Sequence, residues 1–172
     1  LEQECRALLT RLDRLDYFAV IEPMVAAAAP EVHARVRIER YLFEDRVRLR
    51  RLITSHLTAL YAAKPDTGAA ELQRRFAFVR LRFNALLADF DTFSDVMTQR
   101  SEATFGVWLA GLDVAAASAL EMPDSGISVP PVVCYLDRGH GAAIRRARTR
   151  LSTGGENPVA IIRIPRERMV GS

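Results

Sequence analysis

LQRRFAFVRLRFNALLADFDTFSDVM, residues 72–97, is the most regular stretch of the chain. Within it Leu72, Phe76, Val79, Phe83, Leu86, Phe90, Phe93 and Met97 recur at alternating spacings of four and three. Apolar side chains at a 3.5-residue repeat form one stripe along an α-helix, so the spacing predicts a helix over about residues 69–98. Phenylalanine fills four of the eight positions. Thin two-stranded coils prefer Leu, Ile and Val along the seam, so the aromatic stripe points to the core of a helical bundle.

The flanking sequence supplies partners for that stripe. Residues 31–63 read as a second long helix. Pro30 suits its first turn, Ile38, Leu42, Leu49, Ile53 and Leu60 form its apolar stripe, and Lys64-Pro65-Asp66-Thr67-Gly68 is a turn after it. Residues 2–22 read as a first helix, with Leu8, Leu12, Leu15 and Ala19 on one face and Pro23 at its end; residues 24–29 add another turn or two. Ser101 is placed to cap a fourth helix over residues 102–121, with Phe105, Trp108, Leu109, Leu112, Ala116 and Leu120 expected to face inward.

Beyond these helices the period changes. Residues 122–131 are rich in Pro, Gly and Ser and mark a linker. Val132-Val133-Cys134-Tyr135-Leu136 reads as a buried strand, residues 141–151 as a helix, and Val159-Ala160-Ile161-Ile162-Arg163-Ile164 as a second strand. The expected fold is therefore mainly α. A four-helix, largely antiparallel bundle over 1–121 is followed by the 122–131 linker and a short βαβ (α/β) segment over 132–172. Two strands do not make a stable sheet by themselves, so that segment is expected to be incomplete. The chain opens at Leu1 and closes at Met169-Val170-Gly171-Ser172 directly after a strand-like run, which reads as a piece of a longer protein.

Composition narrows the function classes. Apolar residues make up 49% of the 172 residues, enough for a substantial core, yet no apolar run approaches the ~20 residues that span a bilayer. No signal-peptide pattern is present. Two cysteines, Cys5 and Cys134, make no disulfide framework and fit a reducing, cytoplasmic setting. The basic residues are 23 arginines and one lysine, a bias expected of a GC-rich bacterial genome. Their distribution is uneven. Residues 1–136 hold sixteen basic and eighteen acidic residues, whereas residues 137–172 hold eight against three. A basic end on a slightly acidic body calls for an acidic partner, and Arg145, Arg146, Arg148 and Arg150 are the candidate patch. Aromatic residues for base stacking are lacking near them, which argues against nucleic acid. The partner expected is a protein, the rest of a longer chain or a second copy.

Asp137-Arg138-Gly139-His140-Gly141 is the most site-like turn, expected where a strand ends and a helix begins. Asp137, Gly139, His140 and Gly141 are candidate anion or ligand residues there, although the spacing matches neither a P-loop nor GxGxxG. Metal and nucleophile chemistry find little support. Glu31 and His33 are two apart, His56 has Ile53 where an ExxH pair needs Glu, and neither HExxH nor GxSxG occurs. No catalytic residue, metal ligand or cofactor is assigned within this chain.

The run Val132–Asp137, the basic helix 141–151 and the strand Asn157-Pro158-Val159-Ala160-Ile161-Ile162-Arg163-Ile164-Pro165 together resemble the sheet segment just before the active-site helix of zincin-type bacterial metallopeptidases. The resemblance covers under a quarter of the chain and rests on the order of elements. It implies that residues 169–172 lead toward a helix carrying HExxH, with zinc held in a longer parent protein. The helical part would then be a non-catalytic assembly domain. The competing reading is a stand-alone helical interaction module whose basic end binds an acidic partner.

Overall fold

The computed structural model describes residues 1–15, 32–64, 68–101, 103–121, 129–138 and 141–166. The first helix, expected over 2–22, ends at Arg14 with Leu15 as a non-helical cap, a correction to its expected length; residues 16–22 and the turn at 24–29 lie outside the described residues. Four helices are described: α1 Glu2–Arg14, α2 Val32–Tyr61, α3 Ala69–Thr98 and α4 Ala103–Leu120, with a 3-10 turn at Gln99–Ser101 between α3 and α4. Three strands follow: β1 Val132–Asp137, β2 Ala143–Arg145 and β3 Ala160–Pro165. The chain is thus mostly helical with a small sheet.

The heptad stripe governs the helical layer. All of its members but Leu72, which is half-buried, are buried along α3. α2 meets them with Ala34, Ile38, Leu42, Leu49, Ile53 and Leu57, and α1 with Cys5, Leu8 and Leu12. Contacts run in opposite order along α2 and α3. Tyr41, early in α2, packs edge-on against Phe93 at 6.1 Å, and His56, late in α2, stacks on Phe76 at 6.3 Å. α1 is tied to α2 at both ends. Tyr61 donates to Glu2 and accepts from Arg6, while Arg50 pairs with Asp13. Acidic Glu2 and Glu4 in the first turn of α1, and Arg11 and Arg14 in the last, also suit the helix dipole.

The strands are ordered β1-β3-β2. β1 and β3 run parallel, with Val132 opposite Ala160 and Asp137 opposite Pro165; β2 runs antiparallel to β3, with Ala143 opposite Arg163 and Arg145 opposite Ile161. The helix expected over residues 141–151 is therefore a correction. Three of its residues form a strand, and residues 148–157 form a short two-stranded ribbon turning through Leu151–Gly155. Two reasons favour this outcome. A short helix with no clear apolar stripe gains little, whereas residues 143–145 complete the backbone hydrogen bonds of β3's second edge. Gly141 and Arg148 also sit at φ +97° and +64°, outside the helical region.

Strand alternation sends the sheet's two faces into two cores. Val133, Tyr135 and Ile161 join the α1–α3 cluster; Val132, Cys134, Leu136 and Ala160 pack on Leu109, Leu112 and Ala116 of α4. Both cores draw residues from either side of the 122–131 linker. The orientation of α4 also departs from expectation. Leu109 faces the sheet as expected, but Trp108 is 64% exposed and Leu120 is exposed as well. The turn is set by Asp113, drawn inward to the sheet. The side chain of Phe105 lies outside the described residues. Among the described residues no helix is long and apolar enough to cross a membrane.

Asp113 belongs to a set of side chains that close the outer edge of β1. Its Oδ1 accepts the Cys134 N–H at 2.6 Å, and buried Arg100, salt-bridged to Asp113, donates to the Cys134 carbonyl at 2.9 Å. Two residues on, Gln99 accepts the Leu136 N–H at 2.8 Å and donates to the Leu136 carbonyl. The side-chain amide of Gln99 thus reproduces what a neighbouring strand would supply.

Candidate functional site

Three of the four arginines expected as a basic patch, Arg145, Arg146 and Arg150, line one cleft although the helix expected to carry them is absent. A cleft of about 890 Å³ opens between the C-terminal half of α3 and the sheet. Ala88, Asp91 and Thr92 of α3 form one wall, Tyr135 and Ile161 lie on the sheet side, and the ribbon through Thr149–Ser152 forms the other wall. Four arginines line it: Arg145 on β2, Arg146 just beyond it, Arg150 on the ribbon and Arg163 on β3. Arg145 sits opposite Ile161 and Ala143 opposite Arg163, so Arg145 and Arg163 are diagonal neighbours on one sheet face, about 7–8 Å apart.

Their bonding differs. Arg163 pairs with Asp137 at 3.3 Å, and Arg150 donates to the Gly154 carbonyl at 2.6 Å. Arg145 and Arg146 are exposed and have no side-chain hydrogen bond or ion pair among the described residues. Arg148, the remaining member of the expected patch, is exposed and does not line the cleft. Guanidinium groups present several donors in a fixed fork that fits carboxylates two oxygens at a time. Among the described residues the cleft sets four of them against one acidic side chain, Asp91, and is suited to anions.

Of the turn residues expected to bind a ligand, Asp137 ends β1 and holds Arg163, and its Oδ1 accepts the Arg138 N–H. Gly141 precedes β2. Gly139 and His140 lie outside the described residues. Since a strand follows the turn, the helix N-terminus that would favour an anion there is missing.

The sequence reading missed the group that holds the cleft's outer wall. Thr153, at the ribbon tip, is buried. Its hydroxyl lies 2.6 Å from the Tyr41 hydroxyl, 2.7 Å from Asp89 Oδ2 and 3.0 Å from Asp45 Oδ2. Asp89 also accepts the Tyr41 hydroxyl and the N–H groups of Ser152 and Thr153, while Arg82 donates to the Thr153 carbonyl. Burial pushes the Tyr41 hydroxyl well above the ordinary tyrosine range, so it remains a donor. Gly155 is required beside it, because a Cβ there would fall 2.6 Å from the Tyr41 ring. The missed signal was present. Asp45 lies between Leu42 and Leu49, and Asp89 between Leu86 and Phe93, so both carboxylates fall on the apolar stripes, where an acid needs built-in partners.

Other reactive groups serve the core. Both cysteines are free and buried; burial first, then Asp113, pushes the Cys134 thiol up to about 12. Among the described residues no three His, Cys, Asp or Glu side chains lie close enough to hold one metal ion. His56 is buried with neither ring nitrogen hydrogen-bonded, and burial, then Arg75, lowers its pKa. The folded state therefore favours the neutral ring. Stability should be highest above the ordinary value of about 6.5 and fall as pH drops below it. His56→Leu should raise stability by roughly 1–2 kcal/mol by removing unsatisfied polar atoms, with a larger gain near pH 5 than near pH 8. Denaturant titrations at both pH values check this, and an equal change at both would contradict it.

No protein-family model, curated protein or solved structure matches this chain.

Proposed function

We propose that the chain is a helical interaction module whose basic C-terminal cleft binds an acidic protein partner. The observation that carries the reading is the convergence of Arg145, Arg146, Arg150 and Arg163, from two strands and a ribbon, on one open cleft. In this reading α1, α2 and α3 form an antiparallel layer, with the sheet and α4 completing the same folding unit. Nucleic acid is the less favoured polyanion because, among the described residues, Tyr135 is the single aromatic residue lining the cleft. The two free thiols fit a reducing compartment, and we place the protein in the cytoplasm.

Fluorescent polyglutamate is a direct probe. The unmodified protein should bind it, with affinity falling as salt rises. The triple variant Arg145→Gln, Arg146→Gln, Arg150→Gln should bind at least about tenfold more weakly, at roughly 0.5–1 kcal/mol per exposed contact. Arg148→Gln should bind as the unmodified protein does. Salt-independent binding, or equal losses from Arg148→Gln and the triple variant, would return these arginines to an ordinary solvated surface.

A second reading is supported by the parallel pairing of β1 with β3. The resemblance to zincin-type metallopeptidases rests on the order of the elements, and a parallel pair is what the expected βαβ unit would place there. The chain would then pair an assembly domain with the start of a catalytic one, and zinc would be held by residues beyond Ser172. The replacement of the expected intervening helix by β2 counts against it. The parent gene downstream of Ser172 decides between the two: a HExxH helix supports this reading, and a stop codon refutes it.

A further inference from the structure

We propose that Asp89 is a positioning residue for the basic cleft, holding the wall that carries Arg146 and Arg150 in register with the sheet that carries Arg145 and Arg163. This rests on the reading that the cleft binds an acidic partner. Arg145 and Arg163 stand on paired strands, so the sheet fixes their spacing. Arg146 stands at the exit of a three-residue strand and Arg150 on a ribbon whose backbone bonds, Arg148 N–H to Asn157, Asn157 N–H to Thr149 and Leu151 N–H to Gly155, hold its two sides to each other rather than to α3. Their separation from the sheet arginines is set by whatever fixes the ribbon tip.

Asp89 makes most of the bonds at that tip, beside Arg82 on the Thr153 carbonyl and Asp45 on the Thr153 hydroxyl. It is 1% exposed and takes four hydrogen bonds: Ser152 N–H at 2.8 Å, Thr153 N–H at 3.1 Å, the Thr153 hydroxyl at 2.7 Å and the Tyr41 hydroxyl at 2.9 Å. No cation is hydrogen-bonded or ion-paired to its carboxylate among the described residues; the charge is met by donors alone. A buried carboxylate on an apolar helix face is costly to fold around, and a leucine there would extend the α3 stripe. Its placement becomes intelligible as a joint. One residue of the rigid helix holds the backbone N–H groups of two consecutive ribbon residues, within one turn of Ala88, Asp91 and Thr92 on the opposite wall. All four contacts need an acceptor, and an asparagine offers one acceptor oxygen in place of two and turns an N–H₂ group toward donors.

The consequence is a coupling between two places that do not touch the ligand in common. Fixing the wall should strengthen the anion contacts made by Arg146 and Arg150 while leaving those of Arg145 and Arg163 unchanged. Asp89→Asn should therefore weaken polyglutamate binding by about tenfold at temperatures where circular dichroism shows the protein folded. In an Arg146→Gln, Arg150→Gln background the same replacement should cause little further loss. Thr153→Val tests the joint by a second route, since it removes the hydroxyl and keeps both N–H bonds. It should weaken binding less than Asp89→Asn, and Thr153→Ser should restore it. In the unmodified protein, polyglutamate should slow hydrogen exchange at the Ser152 and Thr153 amides.

Affinity unchanged by Asp89→Asn alongside a lowered melting temperature would show a structural role only and overturn the proposal. Full additivity with the Arg146→Gln, Arg150→Gln pair would do the same, as would exchange at residues 152 and 153 that polyglutamate leaves unaltered. If the unmodified protein binds no polyglutamate, the acidic-partner reading falls and this proposal with it. If the unmodified protein binds and Asp89→Asn binds equally well, only the positioning role falls.

Discussion

Phe83→Ala should destabilise the protein by about 3–5 kcal/mol, the cost of emptying a large aromatic site in a packed core. Phe83 is fully buried at the middle of α3, with apolar neighbours on its own stripe and the Arg11 guanidinium 4.7 Å from its ring centre. The ring is reached by α1 as well as by its own helix, so its loss loosens more than one contact of the helical layer. Guanidinium titration should show a lower midpoint with little change in slope, and the melting temperature should fall by roughly 10 °C. Phe78→Ala is the matched control. That ring lies on the same helix but is 54% exposed, so a loss below about 1 kcal/mol is expected. Equal losses at the two positions would mean that the stripe is not the core.

Asp113→Ala should cost about as much, roughly 3–5 kcal/mol, for an electrostatic reason. Arg100 is 0% exposed and its Nη2 lies 2.8 Å from Asp113 Oδ2. Alanine removes the carboxylate from a buried guanidinium and also strips the Cys134 N–H of its acceptor. Asp113→Asn keeps an acceptor for Cys134 while removing the charge and turning an N–H₂ group toward Arg100. Its loss should be smaller than that of alanine. An alanine variant within about 1 kcal/mol of the unmodified protein would show that the guanidinium is hydrated rather than sealed in.

Legibility followed the strength of local periodicity. The ends of α3 were readable to the residue because eight apolar positions kept one repeat, and burial of that repeat follows from the same physics. α4 was readable as a helix but its rotation was not. Apart from Asp113, residues 103–120 carry no charge, so Trp108 and Leu109 are equally plausible core residues on local grounds. The choice was made by Asp113 reaching the backbone of a strand more than ten residues later, and no local pattern carries that. Residues 141–151 failed for a related reason. Local propensity allowed a helix, and the second edge of β3 required a strand.

The cleft was half legible. Arg145, Arg146 and Arg150 form a cluster in sequence and remain one in space, although the element joining them was misread. Arg163 could not be grouped with them, because only the antiparallel pairing of β2 with β3 brings it near. Asp45 and Asp89 could have been flagged as acids on apolar stripes. That their common target is Thr153, more than sixty residues further on, is a property of the folded chain.

The closure of β1 by Gln99, Arg100 and Asp113 has a consequence for self-association. A sheet that offers two bare edges can grow by end-to-end addition without limit, since every newcomer restores the edge it covers. Here the outer side of β1 is already occupied by side chains of the same molecule, and among the described residues the outer side of β2 is the one left for a further strand. A unit with a single adhesive end is a chain terminator in its own polymerisation: two copies can meet and stop, and a third finds nothing to join.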